Sequence, residues 1–236
     1  MRPSDRVNPG WFDHARMPLL LLRRAVQTAL DDWIAPASDG VVVDVGCGDS
    51  PYRAMFESKG LKYIACDLGE PADVIITPNS PIPLPDGSAD LVVSFQVLEH
   101  VWELDWYLGE CRRLLKPNGK FLISTHGMWL YHPHPQDFRR WTHTGLVRQL
   151  GESGLVVSKM VGMVGPLALT TQIRLIGYRE VLGRIPVLGA ILFAPIVLCM
   201  NLRIALEERI TPSGMKFDHA STYLCLCDGE QTAKIP

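Results

Sequence analysis

The segment from Tyr131 to Gly145, YHPHPQDFRRWTHTG, concentrates side chains that could do chemistry. His132, His134 and Asp137 carry atoms that could bind a metal ion at short spacing. The His-Pro-His arrangement, however, places successive imidazoles on a stiff, extended piece of chain, and only Asp137 offers an obvious further ligand nearby. We therefore predict no metal site and look for a different role for these histidines.

Proton transfer is the second chemistry that this segment could perform. A histidine whose pKa lies near ~6.5 can take a proton from a hydroxyl group at neutral pH. His126, His132 and His134 are therefore candidate catalytic bases, and Arg140, like the arginine before it, could bind a phosphate or carboxylate in a bidentate manner. The alternative is structural: Asp137 pairs with Arg140 and fastens the segment to the following helix.

A glycine-rich turn earlier in the chain indicates a nucleoside site. The sequence VVVDVGCGDSPY at 41–52 joins an apolar run to this turn, and Asp67 ends the next apolar run. Glycine lets the backbone approach a ligand closely, and an acidic group at the tip of the neighbouring strand can bind both hydroxyls of a ribose. A nicotinamide dinucleotide site would need a glycine where Pro51 stands, which argues against an oxidoreductase.

Short apolar runs predict the strands that position the glycine-rich turn and the histidine segment. Runs of this kind are typical of buried parallel strands, and they occupy 41–46, 62–68, 72–77, 90–96 and 120–125. Helical spacing predicts a helix that reaches Trp33 and others at 102–115 and 142–152, the last one capped by Thr142 or Thr144. Further strands are expected near 155–161 and 221–227. Ligands bind at the carboxyl edge of such sheets, where the glycine turn and the histidine segment both lie.

Two motifs carry a resemblance to a known family. Residues 44–50, DVGCGDS, resemble the first motif, DxGxGxG, of class I S-adenosylmethionine-dependent methyltransferases. Residues 84–101, LPDGSADLVVSFQVLEHV, are similar to a later signature of the small-molecule branch, which includes the ubiquinone-biosynthesis and sugar methyltransferases. Related methyltransferases also carry a D-aromatic-x-R-aromatic-T element like that of 137–142. The resemblance covers about 38 to 162 and the last strand.

The resemblance implies an α/β fold: a Rossmann-like seven-stranded sheet with one antiparallel strand and a helical insertion before the last strand. It implies S-adenosyl-L-methionine as the cofactor. By position, the residues that bind it are Asp44, Gly46, Cys47, Gly48, Asp67, Leu68 and Gln96. Ser50 replaces the third glycine, which requires ordinary backbone angles there, and 77–80 lacks the aspartate that often accepts the adenine amine. Glu99 and His100 could simply cap and pack a helix, and His100 is otherwise a weak candidate for the site.

The implied function is methyl transfer to a small-molecule or lipid-linked acceptor, at a hydroxyl oxygen. The alternative that stays open is a non-catalytic nucleoside-binding protein with a regulatory or scaffold role. The 23 basic and 25 acidic residues nearly cancel, which disfavours a nucleic-acid partner. The six cysteines form no CxxC pair and indicate a reducing compartment, so we expect a cytoplasmic protein.

Composition also predicts the domain organisation. We expect an N-terminal helical segment at 1–36, a methyltransferase domain at 37–162 and 215–236, and an apolar helical insertion at 163–214. The stretch from Ile185 to Leu202 has eighteen residues without a charge and contains Pro195, which should kink it. As one helix it would reach only ~27 Å, short of a hydrocarbon core of ~30 Å.

We therefore expect a helical hairpin within 170–210, with basic residues on both sides. It would dip into the membrane interface or offer an apolar groove to a lipid-linked acceptor. The alternatives are packing against the domain itself or against a second subunit in a homodimer.

Overall fold

The computed structural model describes residues 6–34 and 39–229. Within them, seven strands form one sheet in the order β3-β2-β1-β4-β5-β7-β6. The strands are β1 (Val41–Val45), β2 (Lys62–Asp67), β3 (Val74–Ile75), β4 (Ala89–Phe95), β5 (Leu115–His126), β6 (Leu155–Met163) and β7 (Thr222–Gly229). The pairings among β1 to β5 are parallel, whereas β7 runs antiparallel to β5 and to β6. The predicted seven-stranded α/β sheet is confirmed, and the predicted domain bounds that fall in 1–5, 35–38 and 230–236 lie outside the described residues.

Alternation along the central strands divides the core into two layers. Val42 packs into one apolar cluster, and Val43 and Val45 pack into the other, because successive side chains of a strand point to opposite faces. β4 is buried along most of its length for the same reason. The sheet is thus covered on both faces, which leaves its carboxyl edge as the place where a ligand can enter.

The described helices cover the two faces. They are α1 (Arg16–Thr28), which continues as a π-helical turn over Ala29–Trp33, α2 (Arg53–Glu57), α3 (Leu104–Leu114), α4 (His143–Glu152), α5 (Pro166–Leu182), α6 (Leu188–Ile210) and α7 (Ser213–Asp218). Of the two predicted caps of α4, the structure shows Thr142, whose Oγ1 accepts a hydrogen bond of 3.1 Å from the N–H of Gly145.

Two strands differ from their predicted extents. β3 keeps only Val74–Ile75 of the run predicted at 72–77, because the ladder with β2 pairs only these two residues. β5 begins at Leu115, because Leu115 pairs with Ala89 and Lys120 pairs with Leu91. The chain at 116–119 therefore loops out between two paired stretches, and the turn predicted from its proline and glycine lies inside the strand rather than before it.

Helices α5 and α6 form a hairpin between β6 and β7, and one face of it packs against the domain. Leu175, Val197 and Ile204 share an apolar cluster with Leu22 and Val26 of α1. For this face, the predicted alternative of packing against the domain is what the structure shows. α6 continues through Pro195, and of the described helices it is the one long and apolar enough to cross a membrane, judged by length and composition only.

The hairpin also holds the chain that precedes α1. Asn201 donates from Nδ2 to the carbonyl oxygens of Trp11 and Asp13, at 3.0 Å each. Gln172 donates from Nε2 to the carbonyl of His14 at 2.7 Å. These buried amides satisfy backbone acceptors that would otherwise be stranded among apolar side chains.

Candidate active site

A cavity of about 770 Å³ opens at the carboxyl edge of the sheet. All seven predicted cofactor-binding residues line it, and so do two of the predicted bases. The lining thus includes Asp44, Gly46, Cys47, Gly48, Asp67, Leu68, Gln96, His132 and His134. His126 and Arg140 lie outside this lining. The structure therefore brings the glycine turn and the histidines to one site, although Gly48 and His132 are more than 80 residues apart in the sequence.

The turn after β1 requires glycine at its first position. Gly46 has a φ of +80°, and a Cβ there would lie 2.6 Å from Cγ2 of Val97. The N–H groups of Gly46 and Cys47 both donate to the carbonyl of Cys66, at 2.8 and 3.1 Å. The turn therefore packs closely against Val97, which follows β4, and the turn residues form part of the cavity wall.

Asp67 is held in place by two backbone donors. Its Oδ2 accepts from the N–H of Gly48 and its Oδ1 accepts from the N–H of Leu68, both at 2.6 Å. A carboxylate has about four acceptor sites, so each oxygen keeps capacity for a further donor. This geometry fits a carboxylate that receives the two hydroxyls of a ribose.

Asp44 presents an unsatisfied buried acceptor to the cavity. Its side chain is buried, its Oδ2 accepts from the hydroxyl of Tyr63, and its Oδ1 has no hydrogen-bond partner among the described residues. Burial raises the pKa of Asp44 to about 7. Because a buried acceptor without a donor is costly, this oxygen fits an ammonium group such as that of the methionine part of the predicted cofactor.

Two details of the motif differ from expectation. Ser50 has a φ of +50°, so the ordinary backbone angles that would make serine easy to tolerate at this position are absent. The serine adopts a left-handed conformation and closes a turn through its N–H, which donates to the carbonyl of Cys47 at 2.9 Å. Asn79, in the segment without the expected aspartate, also has a positive φ and lines the cavity, where its amide could accept a hydrogen bond from adenine.

Gln96 is fixed at the end of β4 by its neighbour strand. Its backbone N–H donates to the carbonyl of Ser124 at 2.9 Å, and its Nε2 donates to Oγ of Ser124 at 3.1 Å. Its φ of +57° turns the chain sharply out of the strand. This bend directs the following short 3₁₀ turn, Leu98–His100, along the cavity.

The histidines of the predicted segment form a cluster with His100. The ring centroid of His132 lies 5.0 Å from those of His126 and His100 and 6.3 Å from that of His134. His126 is buried at the end of β5, and its ring stacks on Trp129 at 5.3 Å. Burial lowers the pKa of His126 to about 3, so this histidine is neutral at physiological pH and a weak base. Burial also lowers the pKa of His132, which leaves this ring in its proton-accepting form.

Arg140 fastens the histidine segment. Its guanidinium contacts both carboxylate oxygens of Asp137, at 2.5 and 2.6 Å, and donates to the carbonyl of Leu130 at 2.7 Å. The side chain of Asp137 is almost fully buried, and Arg140 holds its pKa well below the usual range. The structural alternative given above, in which Asp137 pairs with Arg140, is therefore present. A catalytic role for Arg140 stays a prediction.

Glu99 is a site residue that sequence reasoning assigned only to helix capping. Its side chain is fully buried, its Oε2 accepts from the hydroxyl of Thr125 at 2.8 Å, and its Oε1 lies 3.5 Å from Nε2 of His126. The next residue, His100, lines the cavity. A glutamate within an otherwise apolar stretch before a histidine is the signal that could have indicated it.

Comparisons with known proteins agree with this geometry. Residues 43–123 match the family model described as a methyltransferase domain. A probable S-adenosylmethionine-dependent methyltransferase of Mycolicibacterium smegmatis is 29% identical over 139 residues, which cover 52% of this chain and 54% of that protein. The ubiquinone biosynthesis O-methyltransferase of Rhodopseudomonas palustris is 26% identical over 163 residues, which cover 54% of this chain and 63% of that protein. The chain spans about half the length of the first of these curated relatives.

Solved structures show the same fold. Phosphoethanolamine N-methyltransferase 2 of Haemonchus contortus, in complex with S-adenosyl-L-methionine, is similar with a TM-score of 0.55 and 14% identity, over 98% of this chain and 60% of that chain. The cyclopropane synthase MmaA2 of Mycobacterium tuberculosis has a TM-score of 0.54 and 13% identity, over 92% of this chain and 87% of that chain. The narrower branch predicted from 84–101 stays a prediction. Together with the glycine turn and Asp67, these similarities show a methyltransferase domain at 43–123 and support S-adenosylmethionine as its cofactor.

Proposed function

We propose that this protein transfers a methyl group from S-adenosylmethionine to a hydroxyl oxygen of a small-molecule or lipid-linked acceptor. The observation that carries the proposal is that one cavity is lined both by the predicted cofactor-binding residues and by a group of histidines. The glycine turn and Asp67 line one part of it, and His100, His132 and His134 line another. A bound cofactor supplies a sulfonium methyl group, and the histidines stand where an acceptor would have to lose its proton.

The cavity offers alignment and exclusion of water, which provide most of the acceleration in an in-line displacement. Aromatic side chains form part of the wall: the rings of Trp102 and Phe138 lie 5.2 Å apart, and Trp106 lies beside them in the lining. Arg139 stacks over Trp102 at 4.9 Å and donates to its carbonyl at 3.0 Å. These contacts connect the histidine segment to the residue pair before α3, so the two form one continuous part of the cavity wall.

Among the histidines, His132 is the base that the geometry supports best. It lines the cavity, and its Nδ1 lies 3.4 Å from Oδ2 of Asp137. When the ring takes the proton of a hydroxyl acceptor, the imidazolium that forms is stabilised by this carboxylate. His134 lines the same wall and is the second candidate, whereas His126 is too deeply buried to reach an acceptor directly.

A second, mostly apolar cavity supports a lipid-linked acceptor. It has a volume of about 580 Å³ and is lined by Trp129, Leu169 and Ile173, with Arg140 at its wall. Trp129 stacks on His126, so this groove lies next to the histidine cluster. An acceptor with an apolar tail could place the tail here and its hydroxyl in the larger cavity.

The experiment is a transfer assay with methyl-labelled cofactor and extracts of small molecules and of lipids, with labelled products identified by mass spectrometry. A labelled product that disappears in His132→Asn, while S-adenosylhomocysteine still binds that variant, supports the proposal. Cofactor binding without transfer to any component of either extract would favour the alternative of a non-catalytic nucleoside-binding protein.

A further inference from the structure

The histidine cluster contains a set of atoms that could bind a metal ion. One ligand atom from each of Glu99, His100 and His132 lies within 4.8 Å of the other two. His100 and His132 line the large cavity, so an ion held here would face the space available to an acceptor. Two imidazoles and one carboxylate at an open wall form a donor set known from metal sites that keep a free coordination position.

Glu99 supplies an observation that is independent of the clustering. Its side chain is fully buried, and its Oε1 has no hydrogen-bond partner among the described residues. The nearest polar atom given by the contacts is Nε2 of His126, at 3.5 Å. A buried carboxylate oxygen without a donor is costly, and either a proton or a cation would relieve it. Because Thr125 already occupies Oε2, the unpartnered oxygen is the one available to an ion.

Of the two histidines, His100 has the contact that is usual for a metal ligand. Nδ1 of His100 contacts the carbonyl of Gln136, and since a carbonyl only accepts, this nitrogen carries the proton and Nε2 keeps its lone pair. Nδ1 of His132 lies 3.4 Å from the carboxylate of Asp137. Nη2 of Arg140 lies 3.4 Å from the same nitrogen and can only donate to it, so a metal on Nε2 requires the other tautomer, in which Nδ1 carries the proton and faces Asp137. Hydrogen bonding of the distal nitrogen to a carbonyl or carboxylate fixes the tautomer that binds metal.

We propose that Glu99, His100 and His132 bind one divalent first-row transition-metal ion, of the Mn²⁺, Fe²⁺ or Zn²⁺ kind. Mg²⁺ and Ca²⁺ prefer sites made of oxygen ligands, which this one is not. Metal–ligand distances of ~2.0–2.2 Å require the ligand atoms to approach one another to roughly 3.3 Å, so these atoms, which lie within 4.8 Å of one another, would draw together when an ion binds. This inference rests on the proposed function: the ion would hold the acceptor oxygen and favour loss of its proton to His134, because His132 cannot act as the base while it binds the ion.

From the sequence alone, no metal site is expected. That expectation considered ligands within 131–145 alone, where only Asp137 could join the histidines. The fold instead brings Glu99 and His100 from the end of β4 to His132, and it engages Asp137 with Arg140.

The test is metal binding by the full chain, independent of activity. Protein stripped with a chelator is titrated with Mn²⁺ or Zn²⁺ alone by calorimetry, and bound metal is counted by mass spectrometry. We expect one ion per chain and at least a tenfold weaker affinity in His100→Asn and in His132→Asn. His219→Asn, at an exposed histidine beside α7, is the control and should bind like the wild type.

Stoichiometry below one ion per chain, or equal affinities in His100→Asn and the control, would overturn the inference. The affinity for S-adenosylhomocysteine is measured separately in each protein. None of Glu99, His100 and His132 is a predicted cofactor-binding residue, so the two affinities can change independently. Metal binding without cofactor binding would therefore contradict the proposed function and leave the metal site intact. Cofactor binding without metal binding would contradict the proposed metal site and leave the proposed transfer reaction intact.

Discussion

The carboxylate of Asp67 accepts a hydrogen bond of 2.6 Å from the N–H of Gly48, which ties the tip of β2 to the turn after β1. The N–H of Leu68 donates to the other oxygen, also at 2.6 Å. Both donors are backbone groups, so the position of the carboxylate is set by the fold before any ligand arrives. A preorganised acceptor of this kind loses little conformational entropy when it binds a ribose.

Replacement of Asp67 by alanine should weaken binding of S-adenosylhomocysteine by tenfold or more. The loss of hydrogen bonds from ligand hydroxyls to a charged carboxylate costs ~1.5–3 kcal/mol. Calorimetric titration measures the effect, and Asp86→Ala, at an exposed carboxylate paired with Arg113, is the matched control. Equal affinities in the two variants would remove Asp67 from the cofactor site.

The two glycines of the turn should respond differently to alanine. At Gly46 the φ is +80° and the new Cβ would lie 2.6 Å from Val97, whereas at Gly48 the φ is +54° and no atom lies within 4 Å. Gly48→Ala should therefore cost only the ~1–2 kcal/mol of a left-handed residue, and Gly46→Ala should cost more. Denaturant unfolding measures both. Adding Val97→Ala should recover part of the stability of Gly46→Ala but none of that of Gly48→Ala, and equal recovery would refute the steric explanation.

Local motifs made much of this site predictable, and tertiary contacts made the rest unpredictable. Asp67 and the glycines could be assigned because a turn and the tip of a neighbouring strand are joined by the parallel pairing of β1 and β2. The grouping of Glu99 with His132 could not be predicted from the sequence, because it depends on how the chain after β5 folds back over the end of β4. The left-handed Ser50 was missed because sequence gives no sign that a Cβ fits there.

Cofactor affinity should depend on pH through Asp44. Burial raises its pKa to about 7, above an unfolded value of ~3.9. The stability that Asp44 contributes to the free protein is therefore complete below ~3.9 and is lost as the pH rises through about 7. Binding of an ammonium group changes in the opposite direction, because it needs the ionised carboxylate.

We thus expect S-adenosylhomocysteine to bind more tightly at pH 8 than at pH 6, and Asp44→Asn to remove this dependence. Calorimetry at both pH values, in buffers of different ionisation enthalpy, also counts the protons released. A variant that keeps the full pH dependence would show that another group is responsible.

The ion pair between Asp137 and Arg140 should stabilise the histidine segment in a pH-dependent manner. Arg140 lowers the pKa of Asp137, so the contribution is present above the unfolded pKa of ~3.9 and is lost as the pH falls below it. Arg140→Gln should cost ~1–3 kcal/mol at pH 7, because Asp137 is left buried without its charged donor, and less at pH 3.5. Denaturant unfolding at both pH values tests this. Arg148→Gln, at an exposed pair with Glu152, should have no measurable effect at either pH.

The outer face of the α5–α6 hairpin carries exposed apolar side chains that the domain leaves uncovered. At its tip, Val187 is 77% exposed, Ile191 is 63% exposed and Leu188 is 54% exposed. Arg184 is exposed beside them. Contiguous apolar surface of this kind marks contact with a membrane or with another protein, and a neighbouring cation favours the anionic face of a bilayer. We propose that this tip inserts into the membrane interface.

Flotation with anionic vesicles tests this proposal without deleting the hairpin, whose other face packs against α1. Wild-type protein should float at low salt, and Leu188→Glu and Ile191→Glu should each weaken membrane partitioning by about tenfold, since a buried Leu or Ile contributes ~1.5–3 kcal/mol. Val156→Glu, at a side chain 51% exposed on β6, is the control and should float like the wild type. Wild-type protein that stays with the soluble fraction and forms a dimer, which Ile191→Glu dissociates, would instead identify the tip as a subunit interface.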